Sequence, residues 1–347
     1  MLIKPPGHPY EYPDYIEQAL IDFKNRTWIN LTFNDIMQEF RSTFITIPTC
    51  IIKVKKGTVL FRGRINNNEK LFNHLDEISI KPKDKVKSFG RANIPGESVF
   101  YASTNEETVA REVTQWYIND KGRAQDLFSR GIMNVHWNPF VSFITISAWY
   151  VVEDLTLALL FNSDDTKRPE NVQKIIAERN KPMSGYSENY HKSFNKILNF
   201  FSSEFGRLDI KQDLEYIFSA YYAYEIYQQN GYRAQKINFD GVKYASIANE
   251  YRGENIALCE SSFRKKIAFL GANYCYSYNS YNRDIDNGRT AIIARIYSAI
   301  PKNDKSFEWA NSEEDIDYLA YVENQYVPIT FPSDGSKFKK AVVRTGG

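Results

Sequence analysis

The sequence predicts an α+β fold, and three observations predict it. Stretches rich in β-branched residues, such as "TFITIPTCIIKV" (43–54), "TVLFRG" (58–63) and "RTAIIARIYSAI" (289–300), read as strands. Apolar residues recur at helical spacing in Ile16, Ala19, Leu20 and Phe23, and again in Leu214, Ile217, Phe218 and Tyr221. The two kinds of element stand apart rather than in regular βαβ alternation.

Taken in order, residues 1–13 are rich in Pro and Tyr and read as an extended arm. Residues 14–43 read as one or two helices, with Asn34 as an N-cap, since its side-chain oxygen can take up a free backbone N–H. The strands 43–54 and 58–63 flank a Lys55-Lys56-Gly57 turn. Pro95-Gly96 marks another turn, because Pro presets φ and Gly accepts positive φ. "SVFYAS" (98–103) is a short strand, and Thr104 with Glu107 fits a capping box for a helix over about 105–118. Residues 121–137 look irregular, and "FVSFITISAWYVV" (140–152) looks like a buried strand or strand pair. Helices are expected after Pro169, within 187–206 ending near Gly206, and over 213–232 stopped by Asn230-Gly231. Strands 241–247 and 254–260 follow around Arg252-Gly253, then 289–300, then a charged, weakly patterned tail after 301.

Composition narrows the classes of function. Among 347 residues, 43% hydrophobic and 25% charged is the balance of a soluble globular chain. Aromatics reach 15%, mostly Tyr and Phe, which suits clefts and interfaces and equally suits a biased base composition. A net charge of +2 leaves no electrostatic footprint for nucleic acid. Cys50, Cys259 and Cys275 form no CxxC, and the four histidines are scattered, so neither disulfides nor a metal site is expected. The N-terminus has no signal-peptide apolar stretch. The most apolar window, 140–152, falls short of the roughly 20 residues a membrane-spanning helix needs. A cytoplasmic protein with neither a nucleic-acid nor a membrane partner is the expectation.

One residue asks for an explanation. On a helix over 105–118, Val109, Val113 and Trp116 share a face, and Glu112 lies among them while Glu107 and Arg111 point away. A carboxylate is costly to bury unless it is paired or hydrogen-bonded. Arg62, Arg64 and Arg91 are the nearest cationic candidates upstream. A purely structural Glu–Arg pair would meet the same need.

The pieces "LFRGR" (60–64), "GRANIPG" (90–96), "SVFYAS" (98–103), "ETVAREV" (107–113), "EDLT" (153–156), "FDGVKYAS" (239–246) and "ENIAL" (254–258) stand in an order that resembles the RES domain, a family named for its Arg, Glu and Ser. The resemblance covers about residues 58–260. It implies an ADP-ribosyltransferase-like split β-sheet core with flanking helices, and the activity of NAD-consuming toxins from toxin–antitoxin modules. Carried over by motif, Arg62 and Arg91 would bind the dinucleotide. Tyr101 would line the nicotinamide pocket, Glu112 would be the catalytic carboxylate, and Ser246 would complete the site. Arg62 is the inward arginine by this motif, and Arg64 is expected at the surface. NAD would be a substrate, with ADP-ribose passed to water, phosphate or a protein acceptor, and a cognate antitoxin protein is an implied partner. The expected organisation is an N-terminal helical arm (1–50), a RES-like catalytic domain (51–270) with an insertion at about 121–210, and a C-terminal extension (271–347) packed on the core.

The sequence departs from the pattern at Ala245, where a Pro often precedes the Ser, in the long 121–210 stretch, and in both flanks. The residue types fit the chemistry independently of the resemblance. Cleavage of the nicotinamide–ribose bond develops positive charge on the sugar, as glycoside cleavage does. A fixed carboxylate stabilises that charge, and a planar guanidinium fork suits a diphosphate. There is no GxGxxG or GxxxxGK[ST] phosphate cradle and no GxSxG elbow. The competing expectation is an interaction protein on a degenerate RES scaffold, with partner contacts on the flanks and on the Tyr-rich helix 213–230.

Overall fold

The computed structural model describes residues 6–26, 32–44, 47–66, 70–118, 138–161, 168–181, 185–207, 210, 212–228, 237–248, 253–281, 289–303, 305–311, 318–322, 325–330 and 342–343. The described helices are α1 (Pro13–Asn25), α2 (Phe33–Phe44), α3 (Leu75–Ile78), α4 (Glu106–Ile118), α5 (Glu170–Arg179), α6 (Glu188–Phe205), α7 (Ile217–Tyr227) and α8 (Glu260–Lys266). The described strands are β1 (Cys50–Val54), β2 (Val59–Ile65), β3 (Val99–Ser103), β4 (Asn138–Val151), β5 (Leu155–Leu159), β6 (Gly241–Ser246), β7 (Gly253–Cys259), β8 (Ile267–Tyr281), β9 (Arg289–Asn303), β10 (Ser306–Asn311), β11 (Tyr318–Val322), β12 (Gln325–Thr330) and β13 (Val342–Val343). The architecture is mixed α+β, as the sequence predicts. The chain forms two compact units, the first from Met1–Lys56, Ile80–Tyr101 and Val152–Lys266, the second from Gly57–Ser79, Ala102–Val151 and Ile267–Gly347.

In the first unit the strand order is β1-β5-β6-β7. The β5–β6 pair is parallel, with Leu157 opposite Gly241, while β1–β5 and β6–β7 are antiparallel. A parallel pair needs a long crossover, and the chain between β5 and β6 carries α5, α6 and α7. Helices α1, α2, α6 and α7 bury one apolar cluster that includes Ile16, Phe23, Phe40, Phe201 and Tyr221. The four α1 residues at helical spacing are all buried, as expected. Helix α7 is different. Every residue from Ile217 to Ala223 is buried, so it is a core helix rather than an amphipathic one. Tyr221 and Tyr222 therefore serve packing, and the Tyr222 hydroxyl donates to the Pro48 carbonyl at 3.3 Å.

The helix ends follow capping chemistry, with two corrections. Helix α2 begins one residue before Asn34, and Thr32 is its cap. The Asp35 N–H donates to Thr32 Oγ1 at 3.2 Å, and the Asp35 carboxylate accepts the Thr32 N–H at 2.9 Å. The Thr32 hydroxyl, which donates to the Asp35 carboxylate at 2.6 Å, and then the Thr32 N–H hold the Asp35 carboxyl below its ordinary value. Helix α4 is capped by Asn105, whose Oδ1 accepts the Thr108 N–H at 2.7 Å, rather than by Thr104. Pro169 and Ser187 precede α5 and α6, and Gly206 ends α6, as the sequence predicts. The stop signal Asn230-Gly231 lies outside the described residues, and Gly253 is the first residue of β7 rather than part of a turn.

In the second unit the order is β2-β4-β8-β9-β10, all antiparallel. All of the window 140–152 but its last residue lies on one strand, β4, which pairs with β8 from Asn138↔Tyr281 to Val151↔Ile267. Strands β1 and β2 do not make a hairpin about Gly57, because β1 pairs with β5 and β2 with β4. The tail after 301, expected to be weakly patterned, carries β10 and a separate three-stranded sheet β11-β12-β13. Residues 121–137, expected to be irregular, lie outside the described residues.

Candidate functional site

Helix α4 packs on β2, β4, β8 and β9. Val109 and Ala110 are buried against Ile144, Ile146 and Cys275, with Phe61, Ile65 and Val113 at the margin. Thr108, one turn before Glu112, is fully buried, whereas Glu112 itself is half-buried. Glu112 is thus less buried than Thr108, whereas the sequence puts it in the middle of the buried face. The side chain of Trp116 lies outside the described residues.

The approach of α4 to β2 depends on Gly63. A Cβ there would stand 2.5 Å from Val109 Cγ1 and 2.9 Å from Val113 Cγ1. Valine is stiff about χ1 and cannot swing aside freely. Gly63→Ala is expected to cost about 1–3 kcal/mol. Urea unfolding checks this, and an unchanged midpoint would mean that α4 does not sit so close. The RES resemblance drew attention to the arginines on either side of this glycine, and the packing requirement between them was missed.

Arg62 lies next to Gly63 on β2, opposite Ser147, and is half-buried. Its carbonyl accepts from Ser147 Oγ at 3.1 Å, and Ser147 Oγ accepts from Trp149 Nε1 at 2.8 Å. Arg64 was expected at the surface. It is half-buried, and its guanidinium donates to the Ser79 carbonyl at 3.1 Å. The reason is the strand period of two, which puts residues 62 and 64 on the same face. Burial lowers the Arg64 pKa from its usual value, against the opposing influence of Glu77.

Three candidates belong to the first unit. Half-buried Tyr101 uses its hydroxyl to close the 90–93 turn. It accepts the Ala92 N–H at 2.8 Å and donates to Asn93 Oδ1 at 2.8 Å. At Gly90 a Cβ would stand 2.4 Å from Asn93 Oδ1 and 3.2 Å from the Tyr101 hydroxyl, so a larger residue there would push on the side chains that close the turn. Tyr101 therefore holds the turn that carries Arg91. The Arg91 guanidinium donates to the carbonyls of Phe205 and, at 3.1 Å, Arg207, and it stands 5.4 Å from the centroid of the Tyr216 ring. Sequence reading missed Asn93, whose place inside "GRANIPG" was the available signal. Ser246, fully buried, is the last residue of β6, opposite Gly253. Burial pushes the Tyr227 phenol well above the usual tyrosine value, and neighbouring Tyr101, Cys259 and Tyr244 push the same way.

The structure thus sets the helix of Glu112 against the strand of Arg62 in one unit, and joins Tyr101 to the turn of Arg91 in the other. Cys50, Cys259 and Cys275 are unbridged, and burial pushes the Cys50 thiol up to about 11, which keeps it protonated at neutral pH. Among the described residues no group of three or more His, Cys, Asp or Glu side chains could hold a metal ion, and no helix is long and apolar enough to cross a membrane. No protein-family model matches the chain, and no curated protein matches it.

Proposed function

We propose that the protein cleaves the nicotinamide–ribose bond of NAD in the manner of RES-type toxins, with Glu112 as the carboxylate that stabilises the cationic sugar. The observation that carries this reading is the placement of Glu112. It is half-buried on α4, and Gly63 lets that helix lie tight against the strand bearing Arg62. A carboxylate in that position is partly open to a ligand, and charge fixed before the reaction is commonly the largest catalytic term. The nicotinamide ring nitrogen is already positive, so the leaving group needs no acid and one carboxylate suffices. Arg62, on the strand beside that helix, supplies the guanidinium chemistry a diphosphate calls for. ADP-ribose passes to water, phosphate or a protein, and a cognate antitoxin would act by covering the site. Purified protein incubated with NAD is expected to release nicotinamide, and Glu112→Gln is expected to lower that rate by about 10²–10³-fold at least while the protein stays folded. Wild-type turnover in the folded variant would refute the mechanism.

A second reading has an observation of its own. The Arg91 guanidinium is engaged with the Phe205 and Arg207 carbonyls, and the Tyr101 hydroxyl is engaged within its turn. Both are roles that a non-catalytic interaction protein on a RES scaffold would keep. On that reading the wild type releases no nicotinamide.

A further inference from the structure

A charged cluster is sealed inside the unit that holds Ser246. Arg168, Lys243 and Glu254 are 4%, 5% and 1% exposed. Arg168 Nε donates to Glu254 Oε1 at 2.5 Å, Nη2 donates to Oε2 at 3.0 Å, and Nη1 donates to the Leu160 carbonyl at 2.9 Å. Lys243 Nζ lies 3.2 Å from Glu254 Oε2, and the Leu160 N–H donates to the Lys243 carbonyl at 2.9 Å. One guanidinium thus grips the chain just past β5 and the start of β7, and the carboxylate it holds also reaches β6.

Burying three ions is expensive, and apolar side chains of like volume stabilise a core as well or better. Stability alone is therefore a poor reason for the cluster. Its place suggests another. The β6–β7 ladder ends at Ser246↔Gly253, and Glu254 is the next residue, opposite Ala245. The end of a ladder opens more readily than its middle unless something pins it. Only a planar fork makes these three bonds at once, so lysine could not replace the arginine.

We propose that Arg168 is a positioning residue: through Glu254 it clamps the end of the β6–β7 ladder and so fixes the position of Ser246, the buried last residue of β6. Arg168 comes from the 121–210 stretch that exceeds the RES pattern, so part of that stretch holds the ends of β5 and β7. The role for a ligand rests on the NAD reading above, while the clamp itself does not.

Two variants test this in the full-length protein: Arg168→Lys, which keeps the charge but not the fork, and the triple change Arg168→Met, Lys243→Met, Glu254→Met, which replaces the cluster by apolar side chains. Melting curves establish which of them fold, and Arg168→Lys carries the test if the triple variant does not. In folded variants, amide hydrogen exchange in residues 242–256 is expected to quicken by about tenfold or more, with helices α1 and α6 unchanged. The KM for NAD is expected to rise by about tenfold with a smaller fall in kcat, the mark of lost ligand positioning. Unchanged exchange in residues 242–256 overturns the clamp. Quicker exchange with wild-type KM and kcat overturns the positioning role. A wild type that releases no nicotinamide overturns the NAD reading alone, and the exchange measurement then decides the clamp by itself.

Discussion

Gly241→Ala is expected to leave most of the chain unable to hold its native state. An added Cβ would fall on the carbonyl oxygen of Ala257 and stand 3.0 Å from both the carbonyl carbon and Leu258 Cα. All three atoms are backbone of β7, so no side chain can turn away. Gly241 is also paired on both sides, to Leu157 in β5 and to Leu258 in β7, and β6 cannot shift without breaking a ladder. Overpacking costs about 1–3 kcal/mol where side chains give way and more where they cannot. Against a typical total stability of about 5–15 kcal/mol, this is a large share. Urea unfolding followed by circular dichroism checks the expectation through a much lower midpoint or a loss of soluble protein. Gly271→Ala is the control, because nothing lies within 4 Å of a Cβ there, and its midpoint is expected to stay near that of the wild type. If the two variants unfold alike, β6 and β7 do not approach each other as described.

Glu254→Ala is expected to be the second most damaging change. It removes the carboxylate that two buried cations share and leaves Arg168 and Lys243 facing each other out of water. Breaking a buried ion pair from one side costs about 3–5 kcal/mol, chiefly because the remaining charge is uncompensated. The contrast is Glu170→Ala. Its pair with Lys174 is exposed on both sides, 82% for the glutamate and 74% for the lysine, and such pairs are worth about 0–1 kcal/mol. Salt should separate the two as well, since buried pairs are screened far less than exposed ones. A Glu254→Ala midpoint close to that of Glu170→Ala would mean that the cluster is open to water.

Much of the secondary structure was legible because it is written in local chemistry. The α1 stripe of Ile16, Ala19, Leu20 and Phe23, Ser187 before α6, and Gly206 after it all depend on neighbours within a few residues. The places where sequence reading failed share a cause. Thr32 rather than Asn34, and Asn105 rather than Thr104, act as caps because one of two polar residues a position or two apart takes the bond, and spacing alone does not choose. The pairing of β1 with β5, across about a hundred intervening residues, has no local signal. Arg64 was misplaced for want of attention to the strand period, an error of reading and not a limit of the sequence.

The candidate site divides in the same way. The residue types at 62, 91, 101, 112 and 246, and the order in which they occur, belong to the sequence, and they raised the possibility of NAD chemistry. The half-burial of Glu112, the engagement of Arg91 with the Phe205 and Arg207 carbonyls, and the joining of Arg168 to Glu254 belong to tertiary structure alone. The physical reason is range. Periodicity, caps and turns are set by covalent neighbours, whereas burial and ion pairing depend on what the rest of the chain brings to within a few ångströms. Arg168 and Glu254 are separated by 86 positions and meet because β5 pairs with β6 and β6 with β7.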